Sequence, residues 1–174
     1  LMKIISVSFV LFVSLVSIAI ASTKKLSIDV ALSPAGSFTI TSKKIKGKVY
    51  IDSKGEISAK NIKIPVKTLK TGIELRDGHL KKKLGYESNK KAVLLLVEAK
   101  GNNGKGKAKF KVLNKEQTVS FTYNRLTEKL GEASFSLELD SFGISGISYM
   151  GVGVKNVVNV KVTLPFKVKK WRPV

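Results

Sequence analysis

From Leu26 to Val168 apolar and polar residues alternate with a period of two, and the pattern gives way in one stretch, Ile73-Glu-Leu-Arg-Asp-Gly-His-Leu-Lys-Lys-Lys-Leu-Gly85. Such alternation sends successive side chains to opposite faces of a strand, so the chain is confined to sheets with one apolar face. The exceptional stretch predicts a short helix over residues 77–84. Asp77 is a residue type that caps helix N-termini, and Gly85 suits the position just past a C-terminus. Lys81, Lys82 and Lys83 lie where the helix dipole favours positive charge. So short a helix does not persist in water alone, so Leu80 and Leu84, four residues apart on one face, must pack on something apolar. The open end of a β-barrel would supply it.

In chain order, Leu26, Ile28, Val30 and Leu32 share one face of a short first arm, and Pro34-Ala35-Gly36 turns the chain. Phe38 and Ile40 follow, then Ile45, Gly47, Val49 and Ile51 after a break at Ser42-Lys43. In the strand from Glu56 to Leu69, Ile57 and Ala59 have one parity while Ile62, Ile64 and Val66 have the other, which predicts a β-bulge around Lys60-Asn61. The run Ala92-Val-Leu-Leu-Leu-Val97 predicts burial on both faces. From Gly104 to Val112, four lysines point out while Gly104, Gly106, Ala108, Phe110 and Val112 point in. Inward glycines imply either a sharp bend or room kept for a ligand.

A turn at Asn114-Lys115-Glu116 precedes Val119, Phe121 and Tyr123, and Ala133, Phe135, Leu137 and Leu139 form the next inward set. The connection from Phe142 to Gly153 is apolar enough to be a sticky patch if exposed. It therefore folds over the barrel mouth, touching the helix as a lid, or meets a hydrophobic partner. The last strand, Asn156 to Val168, turns Val158, Val160, Val162, Leu164, Phe166 and Val168 inward, with Pro165 on the outer parity, where a missing N–H implies a place outside regular pairing. Eight long antiparallel stretches and one helix result. A two-sheet sandwich would satisfy the same pattern, but the bulge, the inward glycines and the single helix favour an all-β barrel, which removes exposed edges.

The chain begins Leu1-Met2-Lys3, runs apolar from Ile4 to Ile20, and reaches Ala19-Ile20-Ala21 before Ser22. A positive start, an apolar core and an A-x-A site predict a signal peptide over residues 1–21, leaving 22–174 as a single domain. Cysteine is absent, which excludes disulfides, thiol chemistry and an acylated cysteine anchor. The formal net charge of +20 comes almost wholly from lysine, with Arg76, Arg125 and Arg172 the only arginines. Nucleic-acid sites favour arginine, so no specific nucleic-acid partner is expected. The basic surface is read as solvation, with attraction to an anionic membrane or polymer as the alternative.

His79 is the only histidine, and the twelve acidic residues show no clustered spacing, so no metal site is expected. No nucleophile elbow is present, and Asp77 and His79 fall on different helix faces, so no catalytic residues are assigned.

The run Leu69-Lys-Thr-Gly-Ile-Glu-Leu-Arg-Asp-Gly-His-Leu-Lys81, the segment Asp140-Ser-Phe-Gly-Ile144 and Val154-Lys-Asn-Val157 resemble the YceI-like family. The resemblance implies a lipocalin-like, eight-stranded antiparallel barrel exported to the bacterial periplasm. It also implies an elongated apolar lumen for a polyisoprenoid, an isoprenoid quinone-like lipid or a similar amphiphile. Candidate lumen residues are then Phe38, Ile40, Ala108, Phe110, Phe121, Tyr123, Phe135 and Leu137. At the mouth they are Arg76, His79, Leu80, Leu84, Phe142, Ile144, Tyr149 and Met150. Arg76, Asp77 and His79 either fasten the helix to the barrel or recognise a headgroup. No cofactor is expected; the partners expected are an apolar lipid, an anionic membrane surface and, in one reading, a second copy in a homodimer.

Overall fold

The computed structural model describes residues 24–149 and 151–168, so the expected signal peptide lies outside the described residues. A hairpin of β1 (Lys25–Ser33) and β2 (Ser37–Ser42) is followed by β3 (Val49–Ile51), β4 (Ile57–Pro65), a 3-10 turn (Val66–Thr68) and helix α1 (Glu74–Lys83). Then come β5 (Val93–Asn102), β6 (Lys105–Val112), β7 (Lys115–Thr127), β8 (Leu130–Glu138), a second 3-10 turn (Asp140–Phe142), β9 (Ser148–Tyr149) and β10 (Val152–Val168).

The strands form one sheet that closes through β10, β3, β4, β5, β6, β7 and β8 back to β10. The length of β10 makes closure possible. One edge carries β8 along Val157 to Pro165, and the other carries β1 and then, beyond Thr163, β3 at Phe166 to Val168. The ring therefore has seven strands where eight were expected, and β1 and β2 extend the sheet beside it. The expected short arm is a nine-residue strand paired on both edges, with Leu26, Ile28 and Val30 in the core.

One pairing departs from the antiparallel expectation: β3 lies parallel to β10. β1 is antiparallel to β10 and β2 to β1, so β2 runs along β10 in the same direction. β3 continues that heading and can only meet β10 in parallel. Pro165 sits inside β10, at the vacancy between these two partners. Successive N–H groups point to opposite edges, and Phe166 donates to the Lys129 carbonyl on the β8 side, so the missing N–H of Pro165 faces the edge where β1 has ended and β3 has not begun.

The parity slip in β4 is real. Asn61 takes a positive φ of 53°, and Ile57, Ala59 and Ile62 are all buried. A second irregularity, between Leu96 and Glu98 on β5, turns Leu96 and Ala99 to the same side. Burial on both faces of the Val93–Val97 run is only partial.

Helix α1 begins earlier than the capping signal indicated. Its N-cap is Ile73, which offers no side-chain acceptor, and Asp77 lies within the helix, 4% exposed. The Asp77 carboxylate accepts from the Thr71 N–H (2.6 Å) and Thr71 Oγ1 (2.8 Å) and pairs with Lys70 Nζ (3.2 Å). Lys70 is bridged to Thr41 of β2 by two backbone hydrogen bonds, so Asp77 fastens the helix to the sheet. Burial raises the carboxyl pKa, but the Thr71 hydroxyl, the Thr71 N–H and Lys70 outweigh it and hold the group below its ordinary 3.8. At the other end Gly85 takes the left-handed conformation (φ 74°). Its N–H donates to Lys82 and that of Tyr86 to Lys81, the Schellman arrangement expected of a glycine stop.

Candidate ligand-binding lumen

Inward residues of β1, β3–β8 and β10 enclose a cavity of about 130 Å³. Of the lumen candidates, Ala108, Phe110, Phe121, Tyr123, Phe135 and Leu137 line it. Ile40 is buried outside the lining, and Phe38 is half-buried beneath Arg76. The lining also includes Leu26, Ile28, Ile62, Leu96, Ala99, Val162 and Phe166, which the same alternation places inward but which were not among the lumen candidates. Across the middle, Phe110 and Phe135 stack with ring centroids 4.7 Å apart. The wall presents apolar atoms almost throughout; Glu132 contributes to it from the outer parity.

One end is filled from within. Gly106 lies opposite Phe121 in the β6–β7 register, and a β-carbon there would stand 2.5 Å from the Phe121 ring. One at Gly101 would stand 2.9 Å from the ring of Tyr123, and one at Gly131 would overlap the ring of Phe166. Gly101, Gly106 and Gly131 thus each seat an aromatic ring, and the three rings form a floor, so the inward Gly106 leaves no empty ligand bay; Gly104, expected inward beside it, lies instead in the turn between β5 and β6 at φ 78°.

The opposite end is closed by the segment around α1 and by the connection after β8. Val66, Leu69 and Leu84 are buried, and Leu80 packs against the core. Asn156 of β10 shapes the connection: its carbonyl accepts from the Leu139 N–H and its side chain from the Asp140 N–H. The 3-10 turn that follows drives Phe142 inward, and Ile144 is buried after it. This apolar connection therefore covers the barrel, and it meets the helix where Lys83 Nζ donates to the Ser145 carbonyl at 3.0 Å.

His79 and Arg76 do not converge on the lumen. His79 is exposed on α1. Arg76 stands over the Phe38 ring, 4.4 Å from its centroid, and the ring face supplies the attraction to the guanidinium. Tyr149 is placed in β9, and Met150 lies outside the described residues. Among the described residues, no cluster of three potential His, Cys, Asp or Glu ligands occurs.

A closed barrel, antiparallel but for the β3–β10 pair, around an apolar lumen defines a lipocalin-like architecture, suited to holding an apolar molecule by burial and shape. Residues 19–168 match the YceI-like domain, and the chain belongs to that family, which is generally one of binding proteins rather than of enzymes. A polyisoprenoid binding domain from Saccharophagus degradans, implicated in plant cell wall breakdown, superposes with a TM-score of 0.57 at 12% identity, covering 82% of this chain and 92% of that one. BcnA of Burkholderia cenocepacia gives 0.56 at 14%, covering 79% and 94%. At such identities the likeness establishes the fold. A comparison with curated proteins finds no match.

Proposed function

We propose that this protein is exported to the periplasm and there binds an isoprenoid or similar amphiphile with its tail in the barrel lumen, as a carrier or sequestering protein without enzymatic activity. The observation that carries the reading is the apolar cavity, lined by β1, β3–β8 and β10. Such a wall offers a ligand hydrophobic burial and dispersion and nothing to react with. The Saccharophagus domain is described as polyisoprenoid binding, and the amino-terminal run is of the exported type. The free space is that of a small apolar molecule, since a 150 Å³ apolar cavity takes about one benzene. A prenyl chain therefore needs the Phe110–Phe135 stack to part. Titration with prenyl alcohols of increasing length, followed by thermal unfolding, tests the reading: a binder raises Tm with concentration, and no rise for any length contradicts it.

A second reading rests on the sheet register. Lys100 and Lys107 are direct cross-strand partners, and like charges so placed destabilise a pair unless an anion lies between them. Contact of this face with anionic lipid headgroups predicts vesicle binding that weakens steeply with salt; binding indifferent to salt contradicts it.

A further inference from the structure

The barrel wall is only half joined between β7 and β8. Pairing runs from Thr127 and Leu130 up to Thr122 and Ser134 and stops there. Continuing that register would set residues 117–121 of β7 against 135–139, yet none of these pairs forms. Each stretch is engaged on its far side, β7 with β6 and β8 with β10. Two strand edges therefore face each other with backbone groups free to accept a polar ligand. The cleft between them is open to solvent and shares Phe121 and Phe135 with the lumen. Hydroxyls of Thr118, Ser120 and Ser134 stand along it, with Lys105 and Lys107 at its rim. The Gln117 side chain crosses its top, accepting from the Glu138 N–H and donating to Ser141 Oγ, both at 3.4 Å.

We propose that this seam is the lateral passage to the lumen and the seat of the ligand's polar head. The inference rests on the lipid-binding reading. An amphiphile's tail passes between Phe121 and Phe135, while a hydroxyl or phosphate head stays among the free strand edges and the rim lysines. The two ends are poor alternatives. Three aromatic rings seated on glycines fill one, and opening the other exposes Val66, Leu69, Leu84 and Phe142 to water, whereas parting the seam breaks two long hydrogen bonds of one glutamine. Phe110 stacks on Phe135, so displacement of Phe135 also frees the middle of the lumen.

The chain has no cysteine, so paired cysteines can lock either route. In the full mature chain, Ser120→Cys with Ser136→Cys spans the seam, and Lys83→Cys with Ser145→Cys spans the lid. Each pair is joined by a cleavable bifunctional maleimide. Uptake of a fluorescent farnesyl alcohol is then followed from phosphatidylcholine vesicles containing some phosphatidylglycerol. The seam lock is expected to abolish uptake and cleavage to restore it, while the lid lock leaves uptake unchanged. Gln117→Ala is expected to speed exchange several-fold. Undiminished uptake with the seam locked, or loss of uptake with only the lid locked, overturns the passage. If the protein with uncrosslinked thiols takes up no probe, lipid binding fails with it, so the two failures are told apart.

Discussion

Replacing Gly131 by alanine puts one methyl group where the Phe166 ring now lies. Two effects favour the variant: loss of glycine's freedom in the unfolded chain, about 0.5–1 kcal/mol, and burial of a methyl, about 0.8 kcal/mol. Against them, the ring must leave its seat. Overpacking of this kind costs about 1–3 kcal/mol, and lost burial of part of a phenylalanine adds about 1–2 kcal/mol. The net expectation is destabilisation by about 1–3 kcal/mol. In a Phe166→Leu background the seat is free, so Gly131→Ala should cost about 0.5 kcal/mol or less, a coupling of at least about 0.5 kcal/mol between the two positions. Urea unfolding followed by circular dichroism for the four proteins of the cycle measures this directly. A neutral or stabilising Gly131→Ala in the natural background, or an equal cost in both backgrounds, would refute the aromatic floor.

Other expectations follow from the helix and its attachments. Replacing Leu80 and Leu84 together by alanine should cost about 3–5 kcal/mol, since Leu84 is buried and Leu80 half-buried, and lower Tm by roughly 10 °C; an unchanged Tm would make α1 a mere connector. Gly78→Ala should act oppositely: a β-carbon there meets nothing within 4 Å, so the helix gains about 1 kcal/mol, and a loss of stability would show that α1 needs a glycine. Asp77 has a depressed folded pKa, so its stabilisation is full above the unfolded value of 3.8 and is lost as pH falls through the folded value. Asp77→Asn should therefore be less stable at neutral pH and should flatten the acid limb of the stability curve; an unaltered limb contradicts this role.

Much of the barrel was legible because alternation reports burial strand by strand. Leu26, Ile28 and Val30 face the core, Ala108 and Val112 are buried opposite outward lysines, and the slip at Asn61 shows in the parity of its neighbours. The ring's membership was not legible. It depends on β10 holding β8 on one edge and both β1 and β3 on the other, pairings far apart in sequence that no local pattern encodes. Asp77 was misread for a related reason: its residue type suits a cap, while its partners come from Thr71 and Lys70 across a turn.

The glycine seats could have been derived. The turn between β6 and β7 is Leu113-Asn114, both at positive φ, one residue earlier than expected. Centring the hairpin there sets Gly106 opposite Phe121 directly. The seam had no such signal, because residues 117–121 and 135–138 alternate like any paired strand.

Whether the lumen holds an amphiphile can be read by native mass spectrometry of the protein purified from its own cell envelope. A lipid-filled lumen gives a bound species of prenyl-lipid mass, released on unfolding and displaced by added prenyl alcohol. A single peak at the mass of the mature chain, unchanged by unfolding and by any added prenyl alcohol, would contradict it.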